Sequence, residues 1–176
     1  MEHMRYRAFI GLGSNVASDA GDPEHTIRAA IGALGTLGEV TAQSSLYRTA
    51  PVGFLDQPDF INAVVSLETD IEPEELMREL LGVERRFGRD RNASVPKGPR
   101  TMDLDLLLVF EALDGEAVVR RSAALTLPHP EMAKRRFVLE PLAEIVPGLP
   151  HPELHKGLRK SVRQLLDELL KDEAQR

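Results

Sequence analysis

Apolar and polar positions along this chain follow two rhythms, one of period two and one near 3.6, and the switches between them set out the order of elements. Tyr6 to Leu12 is an apolar run of strand length that ends in Gly11-Leu12-Gly13-Ser14-Asn15, a stretch read as a turn because its residues tolerate unusual backbone angles. Asp22-Pro23 has the form of an N-cap followed by proline at the first helical position. Ile27, Ala30, Ile31, Leu34 and Leu37 then recur at helical spacing, and Gly38 marks the stop. A strand is expected over Val40 to Tyr47, a loop over Ala50 to Pro58 with its two prolines and a glycine, and an apolar strand over Phe60 to Thr69. Glu72-Pro73 opens a second helix, whose stripe is Leu76, Leu80, Val83 and Phe87 and whose end is Gly88.

A polar loop, Arg89 to Pro99, leads into a strand that begins at Asp103. Alternation there places Asp103 and Asp105 on one face and Leu104, Leu106 and Leu108 on the other. Short strands near Ala117–Arg120 and Leu125–Leu127, helical turns from Pro130 to Ile145 and a C-terminal helix over about 157–173 complete the chain. That last helix carries Leu158, Val162, Leu165, Leu166 and Leu169 on one stripe, a core-packing pattern. The repeated strand-helix-strand order predicts an α+β fold with a split βαβ arrangement, a mainly antiparallel sheet with helices packed on it. One domain over 1–176 is expected, with its motif-bearing core at about 5–147.

The carboxylate pair is the first chemical signal. Two acids on one face of a buried strand repel each other and resist burial unless a cation or a proton intervenes. Oxygen ligands in a chain without cysteine suit Mg²⁺, which bridges one or two carboxylates to phosphates. Taken alone the pair also fits a solvated strand end. Its neighbourhood favours phosphate chemistry: between Arg85 and Arg100 lie five arginines and one lysine against the single Asp90. Arginine forks grip phosphate oxygens at two points, although basic residues also favour a helix C-terminus. Further on, His129 is fixed between Pro128 and Pro130, and Lys134-Arg135-Arg136 follows it.

Composition narrows the classes. A net charge of -6, six Phe, two Tyr and no Trp argue against a nucleic-acid surface. The absence of cysteine excludes disulfides and thiolate chemistry and fits a cytoplasmic setting. The early apolar run is too short for a signal segment or a membrane span. His151 and His155 are four apart, but Glu153 is misplaced for a zinc-binding helix and no third ligand is evident. Gly11-x-Gly13 lacks the third glycine of a dinucleotide fingerprint, since Val16 stands there, and no phosphate-cradling Walker A loop is present.

Together, the blocks Gly11–Asn15, Ser45–Gly53, Asp56–Ala63, Glu84–Arg91, Gly98–Asp105 and Leu127–Pro130 through Leu139 resemble one family, the 6-hydroxymethyl-7,8-dihydropterin pyrophosphokinases of folate biosynthesis. The resemblance implies a ferredoxin-like fold and transfer of pyrophosphate from ATP to the pterin hydroxymethyl group, with release of AMP. It implies that Asp103 and Asp105 hold two Mg²⁺ ions, and that Arg89, Arg100, Asp103 and Asp105 carry catalysis. Glu84, Arg89, Arg91, Arg100, His129 and Arg135 would meet ATP, and Thr49, Ala50, Val52, Phe60, Asn62 and Phe137 would form the pterin slot. Expected partners are therefore ATP and 6-hydroxymethyl-7,8-dihydropterin, with no nucleic acid and no membrane, for a chain expected to act as a monomer.

Two features depart from the family pattern: Lys97 stands where many members carry an aromatic residue, and the run from Gly88 to Arg100 is one residue longer than in some relatives. The segment Arg89 to Gly98 is expected to order over bound substrates. Two rival classes are a two-metal nucleotidyl- or phosphotransferase and a non-catalytic ferredoxin-like ligand-binding module. Against the first stands the separation of Ser14 from Asp103 by nearly ninety residues. Against the second stands an acidic pair beside an arginine-rich loop, which a binding module does not need.

Overall fold

The structure is a computed structural model that describes residues 4–89, 98–149 and 160–175. Arg91, Lys97, His151 and His155 lie outside these described residues, as does most of the Arg89–Gly98 segment. Strand β1 (Tyr6–Ser14) leads through helix α1 (Pro23–Leu34) to β2 (Glu39–Gln43), β3 (Tyr47–Thr49) and β4 (Phe60–Thr69). Helix α2 (Pro73–Arg86) then precedes β5 (Asp103–Glu111), the two-residue strands β6 (Arg120–Arg121) and β7 (Thr126–Leu127), a 3₁₀ turn at Met132–Lys134, α3 (Arg136–Ile145) and α4 (Val162–Ala174). The main sheet runs β2-β4-β1-β5 with β3 also on β4, every pair antiparallel. This is the split βαβ, ferredoxin-like α+β arrangement, because β1 and β4 lie between the strands that their crossover helices feed.

Helices cover both faces of the sheet. Leu12, Ile10, Ala8, Val65, Leu67, Leu104 and Leu106 face α1 and α2, which bury Ile27, Leu34, Leu76, Leu80 and Val83 against them. Phe9, Val64, Leu107, Leu108 and Phe110 face the opposite way, onto α3 and α4, which bury Leu139, Leu142, Val162 and Leu165. Leu108 therefore departs from the expected alternation. The β1–β5 register slips between Phe9 and Ile10, so one extra β5 residue is accommodated there and Leu107 and Leu108 both turn toward α3.

Other boundaries moved for local reasons. The Gly11–Ser14 stretch is not a turn: β1 continues through it, with Gly13 paired to both Asn62 and Asp103. The strand expected over 40–47 is broken into β2 and β3, because the Ser44 hydroxyl accepts the Val64 amide and interrupts the ladder. Helix α1 ends at Leu34, capped at Gly35, and a tighter turn carries Leu37 back onto the core. The strand expected near Ala117 is a single bridge to Phe110. The Asp22 cap held: its carboxylate accepts the His25 amide at 2.9 Å.

Candidate active site

The face of the sheet that α3 and α4 cover is apolar only over part of its length. Toward the start of β5 the same face carries Asp103 and Asp105, opposite Gly13 and Gly11 of β1, with Asn62 of β4 next in the row. The two glycines contribute no side chain, which leaves space above the strand. A Cβ at Gly13 would lie 2.9 Å from Asn62 Oδ1. The resulting cleft of about 290 Å³ runs from the acids to Thr49, Ala50, Val52, Phe60, Asn62 and Phe137. All six residues of the expected heterocycle slot thus line one cavity with both acids, Arg100 and Arg135.

The acidic end is balanced by cations. Asp103 accepts from Arg89 Nη1 at 2.6 Å and from Arg100 Nη1 at 2.8 Å, one arginine on each oxygen. Asp105 lies 3.9 Å from both His129 Nε2 and Arg135 Nη1, within electrostatic range but beyond hydrogen-bond contact. Arg89 reaches this position because Gly88, with φ at +85°, reverses the chain at the end of α2. Asn15 fixes Arg100: it accepts the Arg100 amide through Oδ1 at 2.8 Å and donates through Nδ2 to Gln57 Oε1 and the Pro58 carbonyl. At the other end, Asn62 Nδ2 donates to Thr49 Oγ1 at 2.5 Å, and the Arg135 guanidinium stacks 5.6 Å from the Phe137 ring centre.

His129 is biased toward its neutral form. Burial first, and then the charge of Arg135, lower its pKa, against smaller opposing effects of Asp103 and Glu131. Its Nδ1 accepts the Glu131 amide at 3.1 Å, so the neutral ring carries its proton on Nε2, the atom facing Asp105. Glu84 does not belong to the cleft. It is 1% exposed, accepts the Leu104 amide on the free edge of β5 at 2.8 Å and lies 3.7 Å from Arg89 Nη1. The carboxylate expected on the nucleotide side stands behind Arg89, which it supports from there. Arg91 falls outside the described residues. Lys134, from the basic run read as a phosphate contact, lines the cleft, and so does Glu131, for which the sequence offers only its closeness to His129 as a signal.

Residues 9–147 match the 7,8-dihydro-6-hydroxymethylpterin-pyrophosphokinase (HPPK) family. The chain belongs to this family. Among HPPK relatives, a 2-amino-4-hydroxy-6-hydroxymethyldihydropteridine pyrophosphokinase of Pseudomonas aeruginosa is 40% identical over 152 residues, covering 85% of this chain and 86% of that protein. The folic acid synthesis protein fol1 of Schizosaccharomyces pombe is 36% identical over 160 residues, 90% of this chain but only 20% of the longer yeast protein. The fold recurs in the crystal structure of Plasmodium falciparum HPPK-DHPS, with a TM-score of 0.70 at 13% identity, over 99% of this chain and 43% of that one.

The donor set suits the divalent ion expected of an HPPK-type site. Asp103 and Asp105 offer hard oxygens on one face, and among the described residues no cluster of three or more His, Cys, Asp or Glu surrounds them. Such a half-set fits Mg²⁺, which takes its remaining ligands from water and phosphate, and does not fit a closed zinc or calcium cage. No helix among the described residues is long and apolar enough to cross a membrane.

Proposed function

We propose that this chain transfers pyrophosphate from ATP to the hydroxymethyl group of 6-hydroxymethyl-7,8-dihydropterin, releasing AMP. The observation that carries the reading is the single cleft in which an amide-and-aromatic slot meets an acidic floor flanked by arginines. Asn62 presents both donor and acceptor groups to a flat heterocycle, and Phe60 and Phe137 offer it ring faces. At about 290 Å³ the cavity suits one small heterocycle, so the triphosphate extends past Arg100 and Arg135 toward solvent. Arg89, Arg100 and Arg135 stabilise the charge that builds on phosphate oxygens during displacement at the β-phosphorus. Asp103 and Asp105 would hold two Mg²⁺ ions, whose chemistry there would be to neutralise the triphosphate and polarise the phosphorus under attack.

Incubation with ATP, Mg²⁺ and the hydroxymethyl dihydropterin, followed by chromatography, tests this reading. AMP and diphosphorylated pterin should form in equal amounts. Free pyrophosphate or ADP in place of AMP would overturn it, the former pointing to nucleotidyl transfer. The sequence separation held against that rival loses its force, because β1–β5 pairing sets Gly13 beside Asp103. Product identity is therefore the discriminating measurement.

A further inference from the structure

Glu144 stands where its own helix disfavours it. It is the penultimate residue of α3, at the end where unpaired carbonyls carry partial negative charge, and the last turn holds no basic residue to offset it. A residue that breaks a local rule in this way needs a tertiary reason. The carboxylate leans off the helix onto the chain between β2 and β3. Ser45 N donates to both of its oxygens, at 3.1 and 2.7 Å, and the Tyr47 hydroxyl donates to Oε1 at 2.8 Å. These donors, outweighing desolvation, hold the Glu144 carboxyl below its ordinary range.

We propose that Glu144 and Tyr47 form a positioning clamp that sets the width of the heterocycle end of the cleft; the assignment rests on the function proposed above. One wall of that end is β3, where Thr49 lies two residues beyond Tyr47 and therefore on the same face. The opposite wall is the start of α3, where Phe137 lies seven residues before Glu144, two turns along one helical face. Strand β3 has only three residues, paired to β4 through Tyr47–Asn62, Arg48–Ile61 and Thr49–Phe60. So short a strand is weakly held by its ladder alone, and the Glu144 contacts are the second anchor that ties it to the facing helix. Neither residue touches the cleft contents; both act through Thr49 and Phe137.

The test compares wild type with Tyr47→Phe, Glu144→Gln and Glu144→Ala in steady-state kinetics. The clamp predicts a KM for the pterin raised about three- to tenfold, the range expected for one or two hydrogen bonds, with the KM for ATP and kcat nearly unchanged. Amide exchange over residues 45–50 should quicken in each Glu144 variant, and adding Tyr47→Phe to Glu144→Ala should raise the pterin KM no further. A pterin KM unchanged in all three variants overturns the clamp. So does an equal rise in both KM values alongside a lowered melting temperature, since that pattern marks general loosening. A wild type inert toward the pterin refutes the proposed function separately, and the clamp then stands or falls on the exchange rates.

Discussion

Removing Glu84 should damage stability far more than nucleotide binding. Its side chain is 2% exposed and that of Arg89 is 6% exposed, so the pair is desolvated. Glu84→Ala strands the Leu104 amide, for which an unpaired buried donor costs about 1–3 kcal/mol. It also deprives Arg89 of a neighbouring anion, although the 2.6 Å contact with Asp103 survives. The sum approaches the range of about 3–5 kcal/mol for breaking a buried charged pair. For a domain of this size each kcal/mol moves the melting temperature by about 2–4 °C, so a fall of about 10 °C is expected. Glu84→Gln keeps an acceptor for Leu104 and should cost roughly half as much. Melting is followed by circular dichroism and the KM for ATP is measured well below the transition. A melting temperature within about 2 °C of wild type for Glu84→Ala would refute the structural assignment. So would a tenfold rise in the ATP KM of folded Glu84→Gln, which would mean that the carboxylate meets the nucleotide after all.

Four further outcomes can be checked. Asp105→Ala and Asp103→Asn should each cost about 3–5 kcal/mol of activation barrier, a hundred- to several-thousand-fold in turnover, with circular dichroism unchanged. Gly13→Ala forces a methyl group against Asn62 Oδ1, and overpacking of about 1–3 kcal/mol should raise the pterin KM about tenfold or more, read by initial rates. Burial, then the hydrogen bond to and charge of Glu144, push the Tyr47 phenol up to about 12. Because folding raises this pKa, the stability it contributes is complete below pH 10 and is lost between 10 and about 12. Tyrosine-labelled NMR should show Tyr47 titrating lower in Glu144→Gln, and an unmoved midpoint would contradict the assignment. Gly32→Ala, in the interior of α1 with nothing within 4 Å of the added methyl, should stabilise the fold by about 0.5–1 kcal/mol in urea titration.

The sequence disclosed what depends on local pattern and concealed what depends on partners across the sheet. Strand β4 has the bounds its apolar run predicted, and the Asp22 cap and the α2 stripe follow from spacing alone. The facing acids were legible because a strand alternates. The two glycines were not: absence of a side chain marks a turn and marks room above a strand equally well, and only the β1–β5 register separates the two. The slip at Phe9/Ile10 was invisible for the same reason, since every residue in Leu106–Val109 is apolar and suits either face. Glu84 reads from the family resemblance as a nucleotide contact, and its place between a buried arginine and an edge amide of β5 appears only when the chain is folded. The residues expected to form the slot came from family resemblance, and their convergence on one cavity is a tertiary fact.

The bare stretch of β1 has a cost that bears on engineering. Gly11 and Gly13 leave the floor of the cleft without side-chain packing, and each gives up about 0.5–1 kcal/mol relative to alanine in a strand. A campaign for heat tolerance therefore meets opposite answers at positions of one residue type. Gly32 can be filled far from the cleft, whereas Gly13 can be filled only by crowding Asn62, the group proposed above to meet the heterocycle. Fragility at the middle of the sheet is the form in which this enzyme's capacity to admit a ligand is stored.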